Sequence, residues 1–258
     1  MRAVRLAVPL VLLALLASPS QAHFQVLLPS SDIFSEPGDA AFRILFTHPM
    51  EDGPVMNMGQ PVQFGVLANG KKTDLRASLV KGAVKDAAVY SAKVPLRQPG
   101  DHVFFIEPAA YWEPAEGKMI VHYAKVVVNS MEKEEGWDAM VGFPVEIEPL
   151  VRPYGLWTGN LFRGVVKKDG KPVPFAEVEI EYLNEGKMVG IPAGPFTTQV
   201  IKADANGVFA YAMPRAGWWG FAALVEGDQK MKSPKGDMVP VELGGLMWVR
   251  VQDMAAAK

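Results

Sequence analysis

The chain has 258 residues and not one cysteine, which excludes disulfides and thiolate metal sites and leaves packing and hydrogen bonding to hold the fold. Windows suited to long helices are scarce as well, because 21 prolines and 24 glycines recur every few residues and interrupt a 3.6-residue period. After residue 17 no stretch is long and apolar enough to match a membrane span of ~20 residues. Phosphate-cradling loops are missing: Gly159-Asn160-Leu161-Phe162-Arg163-Gly164 fits neither glycine-rich template. The Gly-x-Ser-x-Gly elbow of a serine hydrolase is missing too.

What is present begins with a leader. Arg2 and Arg5, the apolar run 6–17 and Ser20-Gln21-Ala22 supply the charged, apolar and small-residue parts of a secretory signal peptide. Residues 1–22 are therefore read as a cleaved signal, His23 as the mature N-terminus, and the periplasm as the destination. The lack of cysteine excludes a lipid anchor on the first mature residue. Loss of Arg2 and Arg5 takes 26 basic residues to 24 against 28 acidic, a formal charge of −4 with the two signs interspersed. That balance argues against nucleic acid as a partner.

Strands fill the windows that helices cannot use. Segments 41–47, 63–67, 89–94, 102–107 and 120–129 are rich in β-branched and aromatic residues and bounded by Pro, Gly or Asp. One short helix is expected at 131–140. The two prolines in 145–154 forbid a continuous helix and suit an extended connector. A second series of strands follows at 159–167, 176–182, 197–203, 208–213 and 218–225. Turns such as Asp169-Gly170-Lys171-Pro172 and Asp204-Ala205-Asn206-Gly207 separate them, with Gly170 and Gly207 placed to take positive φ. The expected architecture is all-β: two antiparallel sandwiches of immunoglobulin-like or prealbumin-like type in tandem, 23–144 and 158–252, joined by a connector at 145–157 and followed by a tail, 253–258.

Of the four histidines, His23 is the chemically special one. Cleavage before it frees an α-amine of ordinary pKa ~7.7–8 beside an imidazole of ~6.5, and both lose protons readily near neutral pH to bind a metal. The amine and the imidazole Nδ1 of one residue close a six-membered chelate ring. The ordinary alternative is a histidine left at the cleavage point by chance. His48 ends the strand 41–47 at the start of a loop, and His122 lies within 120–129 on the face shared by Ile120 and Ala124. Each is a candidate ligand or an ordinary structural histidine. His102, which follows Pro99-Gly100-Asp101, is read as structural. Met50, Met56 and Met58 near His48 are soft donors or core fillers. Glu113, in Tyr111-Trp112-Glu113-Pro114, could add a carboxylate ligand, but an exposed charge is the default and it is left out of the site. Glu177, Glu179 and Glu181 alternate along one strand and are expected on one outward face.

Ala22-His23-Phe24-Gln25, Phe46-Thr47-His48-Pro49-Met50, Pro99-Gly100-Asp101 and Gly142-Phe143-Pro144-Val145-Glu146-Ile147-Glu148-Pro149 resemble exported proteins linked to cobalt and nickel uptake, the accessory periplasmic component of nickel transporters of the energy-coupling-factor type. The second half, through Arg163-Gly164-Val165-Val166 and Ala203-Asp204-Ala205-Asn206-Gly207-Val208-Phe209, is similar to a carboxypeptidase regulatory-like or prealbumin-like sandwich. The resemblance implies a non-enzymatic protein that binds Ni²⁺, or Co²⁺, at His23, His48 and His122 and passes it to a membrane transporter component. Two alternatives stand beside it. One is a copper protein, such as a polysaccharide monooxygenase that uses the N-terminal histidine with Cu²⁺. The other is a metal-free adhesion or scaffold protein.

Overall fold

The computed structural model describes residues 23–256; the expected leader, 1–22, and the last two residues of the tail lie outside them. Among the described residues there is no α-helix. Three single 3-10 turns, at Arg76–Ser78, Glu185–Lys187 and Gly194–Phe196, accompany a chain whose regular structure is otherwise strand. Among the described residues no helix is long and apolar enough to cross a membrane.

The strand Lys118–Ser130 shows how the sequence builds the molecule. Its β-branched and aromatic residues suit a pleated backbone, and successive side chains point to opposite faces. Ile120, Ala124, Val126 and Val128 enter one core, while Val121, Tyr123 and Val127 enter another. A strand apolar on both faces belongs in the middle of a molecule. This one joins a central sheet in the order Gln199–Lys202, Glu177–Tyr182, Gly217–Glu226, Val241–Gln252, Lys118–Ser130, Gly100–Glu107, Gln63–Ala68, Lys71–Asp74.

A smaller sheet covers each face. On one side Phe24–Pro29, Gly38–Thr47, Ala87–Leu96 and Val80–Val84 pair antiparallel and bury Phe42, Ile44 and Phe46. On the other, Val145–Pro149, Leu161–Lys168 and Val208–Ala212 bury Ile147, Phe162 and Phe209. Each such side chain contributes ~1.5–3 kcal/mol by leaving water. The hairpin turn behaves as its residues require: Asp169 and Gly170 take φ of 50° and 74°.

The all-β sandwich architecture holds, with three adjustments. The sandwiches read as tandem units share the central sheet, because Lys118–Ser130 pairs with Val241–Gln252 in parallel, Met119 opposite Val241 and Val126 opposite Trp248. The expected connector contributes a strand, Val145–Pro149, paired with Leu161–Lys168. No helix forms at 131–140: Met131, Glu132 and Gly136 adopt φ of 56°, 57° and 105°, which a right-handed helix cannot accommodate. Asn129 instead donates to the Lys133 carbonyl and Trp137 packs on the core.

Candidate functional site

The ladder between Phe24–Pro29 and Gly38–Thr47 sets Phe24 opposite Thr47 and Gln25 opposite Phe46. One step further brings His23 against His48, their ring centroids 4.5 Å apart. His48 is buried and His23 nearly so, its side chain 11% exposed. Around them stand Phe46 and Tyr111, with ring centroids 5.5 and 5.7 Å from that of His23.

Glu113, left out of the site on the expectation of an exposed charge, is part of this group. It is buried, and its Oε2 lies 3.1 Å from His23 Nε2 while its Oε1 accepts from the Ala115 amide at 2.9 Å. The carboxylate therefore engages the outer ring nitrogen, Nε2, of His23. Second carboxylates of this kind orient metal-binding histidines and raise their basicity.

His122 faces the same layer from the central sheet but engages a different carboxylate. Its Nε2 lies 3.2 Å from Glu242 Oε1, and its ring meets that of Phe46 at 6.0 Å, so its link to the histidine pair runs through Phe46. Burial alone would raise the Glu242 carboxyl, yet His122 and Lys118 outweigh it and hold the group at about 2. Gly244 lies opposite His122 in the ladder, and a Cβ there would come within 2.4 Å of the imidazole. Among the described residues no group of three or more histidine and carboxylate side chains converges as metal ligands.

The remaining candidates have other roles. His102 Nδ1 hydrogen-bonds the Gly100 carbonyl at 3.0 Å, and burial lowers its pKa. Met50 packs in the core on one face of the central sheet and Met58 in the core on the other. The outward face expected for the three glutamates is corrected. Glu177 is exposed, Glu179 half-buried and Glu181 only 1% exposed. They do share a face, but the His48 loop lies over its end: Glu181 accepts from the Met50 amide at 2.9 Å and from the Thr198 hydroxyl at 2.5 Å. Burial, with neighbouring negative charge, pushes Glu181 up to about 8 and Glu179 up to about 7. Asn184 completes the clamp, donating from its side chain to the Met50 carbonyl at 3.0 Å and from its backbone to the Pro49 carbonyl at 3.1 Å. The second half of the chain thus holds the loop that follows His48.

No curated protein matches the sequence. Among solved structures, the chain is similar to latent PorU of Porphyromonas gingivalis (14% identity, TM-score 0.24, 89% of this chain and 20% of that one). Others are the Yersinia pseudotuberculosis adhesin InvE (11%, 0.25, 86% and 58%) and trypsin-activated alpha-2-macroglobulin of Escherichia coli (11%, 0.27, 92% and 16%). The chain spans less than two thirds of each, and likenesses this distant say nothing of activity. A family model does match residues 20–227, most of the chain, so the protein belongs to the family described as a domain of unknown function, DUF4198.

Proposed function

We propose that the protein is exported, cleaved before His23, and captures a divalent transition metal, nickel or cobalt, for a membrane uptake transporter. In this reading the ion is cargo. It binds the α-amine and Nδ1 of His23 and an imidazole nitrogen of His48; His122, expected as a third ligand, is set apart from the pair by Phe46 and stands outside that coordination sphere. One observation carries the reading: Glu113 Oε2 sits on the Nε2 of His23 at 3.1 Å, the one ring nitrogen that the amine chelate leaves unused. Glu242 on His122 Nε2 repeats the arrangement at 3.2 Å. A carboxylate on the outer nitrogen is the usual partner of a histidine that ligates through the other. Imidazole and amine nitrogens suit nickel, cobalt and copper.

The test is intact-mass measurement and metal analysis of protein recovered from the exported fraction of its host. The reading expects a chain starting at His23 that carries nickel or cobalt in near-equimolar amount. A different N-terminus removes the chelate. Copper as the bound ion would favour the copper-protein alternative, such as a polysaccharide monooxygenase, over nickel or cobalt delivery.

A further inference from the structure

A cavity of about 270 Å³ opens near the edge of the central sheet formed by Gln199–Lys202 and Glu177–Tyr182. Its floor is one face of the pleat. The ladders set Gln199 opposite Ile180 and Tyr182 opposite Trp219, and residues directly opposite one another, like those two apart along a strand, share a face. Met50, Phe196 and Arg215 stand in the wall with neighbouring loop and turn residues. The rings of Tyr182 and Trp219 lie 5.1 Å apart between centroids, and Phe196, exposed to solvent, carries the aromatic lining out to the mouth. The volume lies just below the ~300 Å³ at which small-molecule pockets begin, and the lining is of their kind, mostly apolar with few polar groups.

Those polar groups are donors. Arg215 is exposed and is the one charged residue in the wall. Trp219 holds it there by donating its indole N–H to the Arg215 carbonyl at 2.9 Å. Arg43, Arg76, Arg97, Arg152 and Arg250 each pair with a carboxylate. The Arg215 guanidinium has neither an ion pair nor a hydrogen bond among the described residues, and a guanidinium keeps its charge and can only donate. Gln199, half-buried, accepts the Tyr211 hydroxyl on Oε1 at 2.5 Å, which leaves its amide N–H groups without a partner among the described residues. Tyr182 directs its hydroxyl proton away, to the Ala216 carbonyl at 3.2 Å. An aromatic cavity with a free guanidinium, a free amide donor and no carboxylate in its wall is complementary to an anion with an apolar body.

We propose that this cavity binds a small monocarboxylate with an aromatic body. The carboxylate takes the Arg215 guanidinium and the Gln199 amide, and the ring lies among Tyr182, Trp219 and Phe196. A single cation matches a single negative charge; a multiply charged anion would leave charge desolvated and uncompensated against the apolar floor. The site needs neither the ion nor the freed amine of His23.

Hydrocinnamate and hydrocinnamide test this directly, because they share a shape and differ in charge. Each is titrated calorimetrically at pH 7.5 and low salt into chelator-stripped protein beginning at His23. The carboxylate should bind at least ~5-fold more tightly than the amide, and added salt should narrow the gap, since an exposed guanidinium is screened. Arg215→Gln should bring the carboxylate down to the affinity of the amide and leave the amide unchanged. Arg215 is exposed and its side chain bonds nothing, so the substitution leaves the fold intact. Phe196→Ala, also at the surface, should weaken both probes alike. Equal binding of the two probes, no binding of either at millimolar concentration, carboxylate binding unchanged by Arg215→Gln, or binding of both unchanged by Phe196→Ala would each overturn the proposal.

Discussion

The two faces of the central sheet use the same strands for different purposes. On one, Val121, Tyr123, Val127, Ile180, Phe221, Met247 and Val249 form an apolar layer, and the buried charges there, Lys125 and Glu146, pair with each other at 2.6 Å. On the other, the apolar row of Ile120, Ala124, Leu246 and Trp248 is interrupted by His122, Glu242, Glu179 and Glu181, none of them fully exposed. The first face is built for stability. The second tolerates desolvated, perturbed groups where the N-terminal strand and the His48 loop cover it, and such groups cluster where proteins bind ligands.

The largest expected effect lies on the stable face. Glu146 accepts from Lys125 and from the amides of Val141, Gly142 and Phe143 at 2.8, 2.8 and 3.2 Å. Glu146→Ala should therefore destabilise by about 3–5 kcal/mol in urea unfolding, since it strands a buried ammonium. A loss below 1 kcal/mol would erase the contrast between the faces. On the other face Glu113→Gln should leave stability nearly unchanged and weaken Ni²⁺ binding by about 10–100-fold, the usual effect of losing a carboxylate behind a metal-binding histidine; calorimetry reads both arms. Asn184→Ala removes the side-chain hydrogen bonds to the Met50 and Val189 carbonyls and from the Val189 amide. It should destabilise by about 1–3 kcal/mol and, by loosening the His48 loop, lower nickel affinity severalfold.

The last effect is one of pH. Glu181 in the folded chain sits at about 8, above its ordinary 4.5, so folding favours its protonated form. Its contribution is complete at low pH and is lost as pH rises from about 4.5 through about 8. Glu181→Gln should flatten that decline in urea midpoints measured between pH 5 and 8. Glu242 has the opposite sign: its stabilisation is present above 4.5 and is lost only as pH falls toward about 2.

Local pattern revealed much of the fold. Alternation in Lys118–Ser130 placed His122 with Ile120 and Ala124, and the Pro/Gly/Asp punctuation marked most strands. Phe24–Pro29 was missed because all six of its residues are buried, leaving no alternation, and with it went the ladder that sets His23 against His48. Glu113 was set aside as a surface charge; only the pairing of Tyr111–Glu113 with Lys118–Ser130 turns it inward. Glu242 carried a readable signal, since in Val241-Glu242-Leu243-Gly244 the glycine two residues on makes room for an imidazole. The three glutamates of Glu177–Tyr182 were put on the right face with the wrong exposure, because what covers that face comes from residues 48–52, far away in sequence.

The central claim is that His23 acts through its freed amine as well as its ring. Nickel titration compares a chain starting at His23 with one that retains Ala22, at pH 7.5 and at pH 5.5. The account predicts about one ion per chain at pH 7.5 with proton release, weaker binding at pH 5.5 where imidazole and amine are protonated, and at least ~10-fold weaker binding when Ala22 remains. Equal affinity of the two chains, or no binding by either, would contradict it.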